Sequence, residues 1–219
     1  MKYNLKIDWA TFKAAKYACE NWHYSKCVPV GKLIKIGAWE DEKFIGVVIF
    51  SRGANAHIGM PYGLTQFECC ELTRVAMRPH KCFVSQVLAE AIRFLKKKCP
   101  EMRLIISYAD IEQGHYGGIY QATNWIYTGR TVRARYFIVN GSKIHPKSLH
   151  SKYSKRYSDF EQSVEWIRKH IDKQAISYYD NGKHKYIFPL DKKMRKKVKH
   201  LSKPYPKNVS FCQKVEIGY

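Results

Sequence analysis

Between Cys69 and Asp110 the hydrophobic period changes twice, and this constrains the fold more than any other stretch. "CCELTRVAM" (69–77) reads as a strand. Val84, Val87, Leu88, Ala91, Ile92 and Leu95 then recur every three or four residues, the period of a buried helix face. "RLIISYA" (103–109) is a short unbroken apolar run, the pattern of a strand covered on both sides. Strand, helix and buried strand in succession require helices packed over a sheet. Lys96, Lys97 and Lys98 fall in the last turn of that helix, where its dipole favours cations.

The flanking segments extend this layer. "DWATFKAAKYACENW" (8–22) puts Phe12, Ala15, Cys19 and Trp22 at helical spacing, with Asp8 as the expected cap. "KLIKIGAWE" (32–40) and "KFIGVVIFS" (43–51) flank Asp41-Glu42, which predicts an antiparallel hairpin. "RTVRARYFIV" (130–139) alternates up to the turn dipeptide Asn140-Gly141. Beyond it lie a helix in "DFEQSVEWIRKHI", a short strand in "HKYIFPL", and a basic helix in "LDKKMRKKVKHL" with Met194, Val198 and Leu201 on one side. The expected class is α/β (α+β), a mixed central sheet flanked by helices. Residues 1–140 would form the core, and residues 141–219 a basic C-terminal extension packed on or beside it. Ligands of open sheets bind beyond the carboxyl ends of strands, so the ends of "ELTRVAM" and "IISYAD" are where a site is expected.

Charge narrows the partner. The chain carries 39 Lys and Arg against 18 Asp and Glu, a formal net charge of +21. From Arg130 onward there are 22 basic and 7 acidic residues. Such a surface suits a polyanion, and nucleic acid is the expected partner, its backbone met by Lys192, Lys193, Arg195, Lys196 and Lys197. The same helix lying on anionic membrane is the weaker reading, since its apolar face is thin and lacks aromatics. No run is long enough to span a bilayer and no secretion signal is legible, so the expected location is cytoplasmic. The seven cysteines (Cys19, Cys27, Cys69, Cys70, Cys82, Cys99, Cys212) have no CxxC spacing, which fits reduced thiols. Cys69 and Cys70 would face opposite sides of a strand. Cys19, His23 and Cys27 recur every four residues, either as a metal-binding helix face still needing a fourth ligand or as a helix burying small residues.

Asp110 closes the apolar strand, where a carboxylate can orient a nucleophile, accept its proton or bind a metal; otherwise it caps the next turn. "HYGGIYQATNW" (115–125) joins His115 and a glycine hinge to Tyr116, Tyr120 and Trp125. These rings either wall a site for an extruded base or belong to an amphipathic helix with Ile119, Ala122 and Ile126 inward. Asn124 is able to read adenine. The phosphate-loop patterns GxGxxG and GxxxxGK[ST] are both absent. His23 and Tyr24 offer a base and a phenol, or simply a helix end with an aromatic contact. On a regular strand Glu71 and Thr73 share the face opposite Arg74, so Glu71 and Arg74 cannot line one site unless the strand bulges.

Six fragments in order, "NWHYSK" (21–26), "GVVIFSRG" (46–53), "CELTRVAM" (70–77), "SQVLAEAIRFL" (85–95), "YADIEQGHYGGIYQATNWIYTG" (108–129) and "NGSKIHPKSL" (140–149), carry a resemblance. Together they resemble the phage Mom-type DNA adenine modification proteins, an atypical branch of the GNAT N-acyltransferase fold. The resemblance implies an enzyme that converts adenine in DNA to its N6-carbamoylmethyl form and so shields phage DNA from restriction. It implies catalytic roles for Asp110, His23, Tyr24 and His115, with His23 and Asp110 as metal candidates. Tyr116, Tyr120, Asn124, Trp125, Ser85, Arg74 and Arg52 are the implied substrate and donor contacts. The donor would be an acyl-CoA or an aminoacyl-type compound in the GNAT crevice, with iron as a further candidate. Acyl-CoA enzymes of that fold hold the pyrophosphate in a glycine-containing turn before the helix; here the segment reads "RPHKCFVSQVL", without glycine, leaving Ser85 and Lys81 as replacement contacts. A conventional acyltransferase would explain the fold but not the basic tail. A non-catalytic DNA-binding protein would explain the charge but not the cluster around Asp110.

Overall fold

A computed structural model describes residues 3–53 and 57–207; Cys212 and the end of the expected extension lie outside the described residues. Along the chain run β1 (Leu5–Trp9), α1 (Phe12–Trp22), β2 (Leu33–Glu40), β3 (Lys43–Ser51), β4 (Cys69–Met77), α2 (Val84–Lys98) and β5 (Leu104–Asp110). Then come α3 (Gly118–Ala122), β6 (Ile126–Arg130), β7 (Arg135–Val139), β8 (Ser142–Ile144), α4 (Pro146–Tyr153) and α5 (Val164–His170). β9 (Ile176–Tyr179), β10 (Lys183–Pro189) and α6 (Lys192–Val198) complete the order.

Residues 1–109, 115–129 and 184–219 form one compact unit, and residues 110–114 and 130–183 a second. The first holds a seven-stranded mixed sheet in the order β1-β2-β3-β4-β5-β10-β6, flanked by helices, which is the class expected. The β2/β3 hairpin turns through Asp41 (φ 49°) and Glu42 (φ 66°), the two left-handed residues that a tight hairpin of matching twist requires. On one face of the sheet α2 buries Val87, Leu88, Ala91, Ile92 and Leu95 against Ile36, Val48, Phe50, Leu72 and Ile105. Each large aliphatic there contributes about 1.5–3 kcal/mol relative to exposure. On the other face α1 buries only Ala15, Ala18 and Cys19 over Val47, Ile49 and Ala76. Phe12, expected inward, is exposed, because small residues let the helix backbone approach the sheet. Asp8 does not cap α1: it lies in β1, and Thr11 Oγ1 accepts the Ala14 N–H at 3.1 Å. Cys70 and Cys69 face opposite sides of β4, as the strand period requires.

The second unit pairs β7 with β8 and β9 over Phe137, Val139, Leu149, Trp166 and Ile167. Asn140 (φ 49°) and Gly141 (φ 73°) form its β7/β8 turn. Buried Asp180 accepts the N–H groups of Ala134 (2.7 Å) and Gly182 (2.9 Å). The division departs from a boundary at residue 140. β10 lies between β5 and β6 in the central sheet, and α6 buries Met194 and Val198 with Leu104, Ile106 and Ile187. β10 places Tyr186 in the core under α2 and Ile187 in the core under α6, so it is a strand covered on both faces, whatever its distance along the chain.

Candidate active site

β4 and β5 run parallel and pair only from Cys69↔Leu104 to Leu72↔Ser107. Beyond that point β4 continues to Met77 and β5 to Asp110 without pairing to each other, so the sheet forks at the carboxyl ends of these two strands. Ser107 sits in the fork, donating from Oγ to the Leu72 carbonyl (2.8 Å) and lying 2.8 Å from the Tyr120 hydroxyl. An opening of this kind between parallel strands exposes backbone to a ligand.

The face of β4 toward this opening depends on one irregularity. Against β3, Leu72 pairs with Phe50 and Arg74 with Ile49, so Thr73 is the extra residue of a β-bulge; its Oγ1 donates to the Ile49 carbonyl at 3.0 Å. The bulge shifts the alternation by one residue. Glu71 pairs with Ser51 and Arg74 with Ile49, residues two apart on β3, so Glu71 and Arg74 share the face that carries α1.

Arg74 donates to the Thr73 carbonyl from Nη1 (2.7 Å) and contacts the Cys27 sulfur from Nη2 (3.9 Å). Its buried Nε–H meets no acceptor among the described residues. Close by, His23 follows the end of α1 as its C-cap, in an extended conformation (φ −114°, ψ 140°). The Ser25 backbone N–H donates to His23 Nδ1 at 3.1 Å, and the Ser25 hydroxyl lies 2.8 Å from the same nitrogen. A nitrogen that accepts an N–H carries no proton itself, so neutral His23 holds its proton on Nε2. Burial lowers its pKa to about 4, and the charges of Arg74, His115 and Lys26 act in the same direction. The Tyr24 ring lies 4.3 Å from His23 and 5.3 Å, edge on, from His115. His23, Tyr24, His115 and Arg74 are thus brought together.

Other expected residues fall elsewhere. Tyr120 and Trp125 are core residues, 8% and 1% exposed, packed with each other and with Tyr186 and Phe188. Neither ring is available to stack on a base, which corrects that expectation. The expected amphipathic helix through Ile126 stops at Ala122, because Asn124 turns left-handed (φ 59°) and Trp125 N–H bonds back to the Tyr120 carbonyl. Tyr116 is half-buried, its carbonyl held by Tyr186 Oη and Gln121 Nε2. The hinge glycine is required: at Gly117 (φ 86°) a Cβ would lie 2.4 Å from the Tyr186 ring. The Arg52 guanidinium lies 4.8 Å over Phe67.

Asp110 belongs to the second unit, where it accepts the Glu112 N–H (3.0 Å) and lies 3.8 Å from Lys183 Nζ. Among the described residues no three His, Cys, Asp or Glu side chains gather as metal ligands. Cys19, His23 and Cys27 do not share a helix face, since α1 ends at Trp22 and Cys27 is exposed. Neither His23 nor Asp110 belongs to such a group, so nothing among the described residues supports iron.

A cavity of about 590 Å³ lies between α2, the α3–β6 turn and the β10–α6 connection. Ser85 and Asn124 line it together, as do Lys192 and Arg195. The remaining α6 cations, Lys193, Lys196 and Lys197, are exposed, while Met194 and Val198 anchor the helix. Asp191 caps it at Met194 N–H (2.7 Å) and pairs with Arg103 (2.9 Å).

A sequence model of the Mom protein family matches residues 4–207. The chain belongs to the Mom protein family. No curated protein matches it significantly over its sequence. Among solved structures it is similar to a Bacillus subtilis acetyltransferase in complex with CoA (TM-score 0.47, 13% identity, 87% of this chain and 100% of that one). It is also similar to an N-acetyltransferase from Staphylococcus aureus (TM-score 0.45, 12% identity, 85% and 98%). A third is an N-acyl amino acid synthase from uncultured soil microbes (TM-score 0.47, 7% identity, 90% and 94%). In this Mom-family chain the sequence reading did not anticipate Ser107 at the fork. The one available signal was a hydroxyl inside an otherwise apolar strand, which had to find a partner.

Proposed function

We propose that the chain is a transferase that modifies adenine in double-stranded phage DNA to N6-carbamoylmethyladenine, protecting the DNA from restriction in the host cytoplasm. The observation that carries this reading is the Mom-family match over residues 4–207. The arrangement around the fork supports it chemically. A neutral His23 offering Nε2–H and an Arg74 whose Nε–H has no acceptor among the described residues are two donors suited to a carbonyl or carboxylate of the donor substrate. Tyr24 and His115 add an aromatic wall, the role expected of Tyr120 and Trp125.

Adenine N6 is a weak nucleophile because its lone pair is delocalised into the ring, so a proton must leave as the new bond forms. Asp110, which closes β5, is the base that the family resemblance suggests for this step. The target base must leave the stack, at a cost of a few kcal/mol, and the exposed cations of α6 offset it by gripping phosphates. The product bears a methylene on N6 and a terminal amide. A single acyl transfer leaves a carbonyl carbon on nitrogen and so does not produce it.

The test is mass spectrometry of nucleosides from DNA of cells expressing the protein. The expected result is a new adenine species that is lost in Asp110→Asn. An unmodified adenine pool with the protein well expressed and folded sinks the proposal, and acyl-CoA turnover without DNA would replace it with a conventional acyltransferase.

A further inference from the structure

Backbone N–H groups that lead into a helix form a natural anion site, strengthened by the helix dipole. In this chain the groups leading into the 15-residue α2 are already engaged. Glu40, the last residue of β2, is 7% exposed. Its Oε1 accepts the Cys82 N–H at 2.7 Å, and Oε1 and Oε2 accept the Lys81 N–H at 3.2 and 3.0 Å. The next N–H, of Phe83, donates to Gln86 Oε1 at 3.2 Å, and the Tyr3 hydroxyl donates to that same oxygen. Three consecutive N–H groups are therefore satisfied by side chains of the protein itself.

The position matters. β2 is antiparallel to β3, and β3 to β4, so β2 and β4 run the same way and Glu40 ends its strand at the edge where β4 and β5 part. No glycine occurs from Arg78 to Leu88, so nothing there lets the backbone close around a second anion. Burial pushes the Glu40 carboxyl up, but the N–H bonds of Lys81 and Cys82, with the field of His80, outweigh it and hold the group below the usual carboxylate range. It is therefore an anion at neutral pH, held within hydrogen-bond reach of the groups a diphosphate would need.

We propose that Glu40 is a built-in anion occupying the place of a donor diphosphate, so that the donor used at the β4/β5 fork is an activated compound presenting no diphosphate to the start of α2. This rests on reading the fork as the donor crevice. CoA, whose diphosphate would meet the Glu40 carboxylate, does not fit this turn. The inference is about anion binding and stands or falls apart from adenine modification.

The experiment follows the backbone amide signals of Lys81 and Cys82 in the full-length protein by ¹H–¹⁵N spectra, with CoA and inorganic pyrophosphate as separate probes. In the native protein neither probe is expected to move these two signals. In Glu40→Ala, and in Glu40→Gln, which keeps the shape and one acceptor, pyrophosphate is expected to move both, with affinity raised roughly tenfold or more by loss of the like charge. If Glu40→Ala does not fold, Glu40→Gln carries the comparison. Movement of the native signals by CoA overturns the proposal. Signals unmoved in the folded variants overturn it as well, because the turn would then be no anion cradle for Glu40 to fill.

Discussion

Acidification is expected to destabilise the protein through His23, by an amount the site itself sets. The folded pKa is lowered from 6.5 to about 4, first by burial and then by Arg74, His115 and Lys26. A histidine depressed in the folded state binds fewer protons there than when unfolded. His23 therefore has no effect above about pH 7, and stability is lost as pH falls through 6.5 toward 4. At about 1.4 kcal/mol per pH unit this is a ceiling of about 3 kcal/mol. Urea unfolding between pH 7 and 4, compared with His23→Gln, isolates the contribution. In parallel, ¹⁵N-labelled histidine reports the midpoint and the tautomer: at pH 7 Nδ1 is expected unprotonated and Nε2 protonated. Arg74→Gln removes the leading charge but leaves the burial, so the midpoint is expected to rise without reaching 6.5. A native midpoint near 6.5, a dominant Nδ1–H tautomer, or a midpoint indifferent to Arg74→Gln refutes the reasoning.

Gly117→Ala combines a left-handed φ of 86° with a Cβ placed 2.4 Å from the Tyr186 ring, and is expected to cost about 2 kcal/mol or more, read as a lowered Tm. Tyr120→Phe leaves the fully buried Ser107 hydroxyl with only the Leu72 carbonyl, a loss of about 1–2 kcal/mol by denaturant unfolding. Trp125→Ala, which opens a core cavity, is expected to cost about 3–5 kcal/mol, whereas a ring serving only as a surface stacking platform would cost little. Replacing Lys193, Lys196 and Lys197 with Gln is expected to leave thermal stability nearly unchanged and to reduce the salt dependence of DNA binding by about one slope unit for each phosphate no longer neutralised. An unchanged slope assigns DNA binding to another surface.

What the sequence determined alone is what depends on neighbours along the chain. The α2 face, the Asp41-Glu42 hairpin, the buried β5 strand and the Met194/Val198 side of α6 each follow from a period or a turn within some fifteen residues. The six fragments that pointed to the Mom family were legible in the same way. His23, Tyr24, Arg74 and His115 were each nameable, but not as a group. The face on which Arg74 joins the others depends on the bulge at Thr73, and a bulge is fixed by the register between β3 and β4, strands that are paired only in space. The same holds for Tyr120 and Trp125, whose spacing allowed a stacking wall or a packed core. β10, arriving from about sixty residues away, covers them with Tyr186 and Phe188 and decides for the core. It holds too for Glu40, which ends an ordinary amphipathic strand in the sequence. Only the tertiary structure puts its carboxylate on the backbone of Lys81 and Cys82, because hydrogen bonds across 41 and 42 residues leave no periodic trace along the chain.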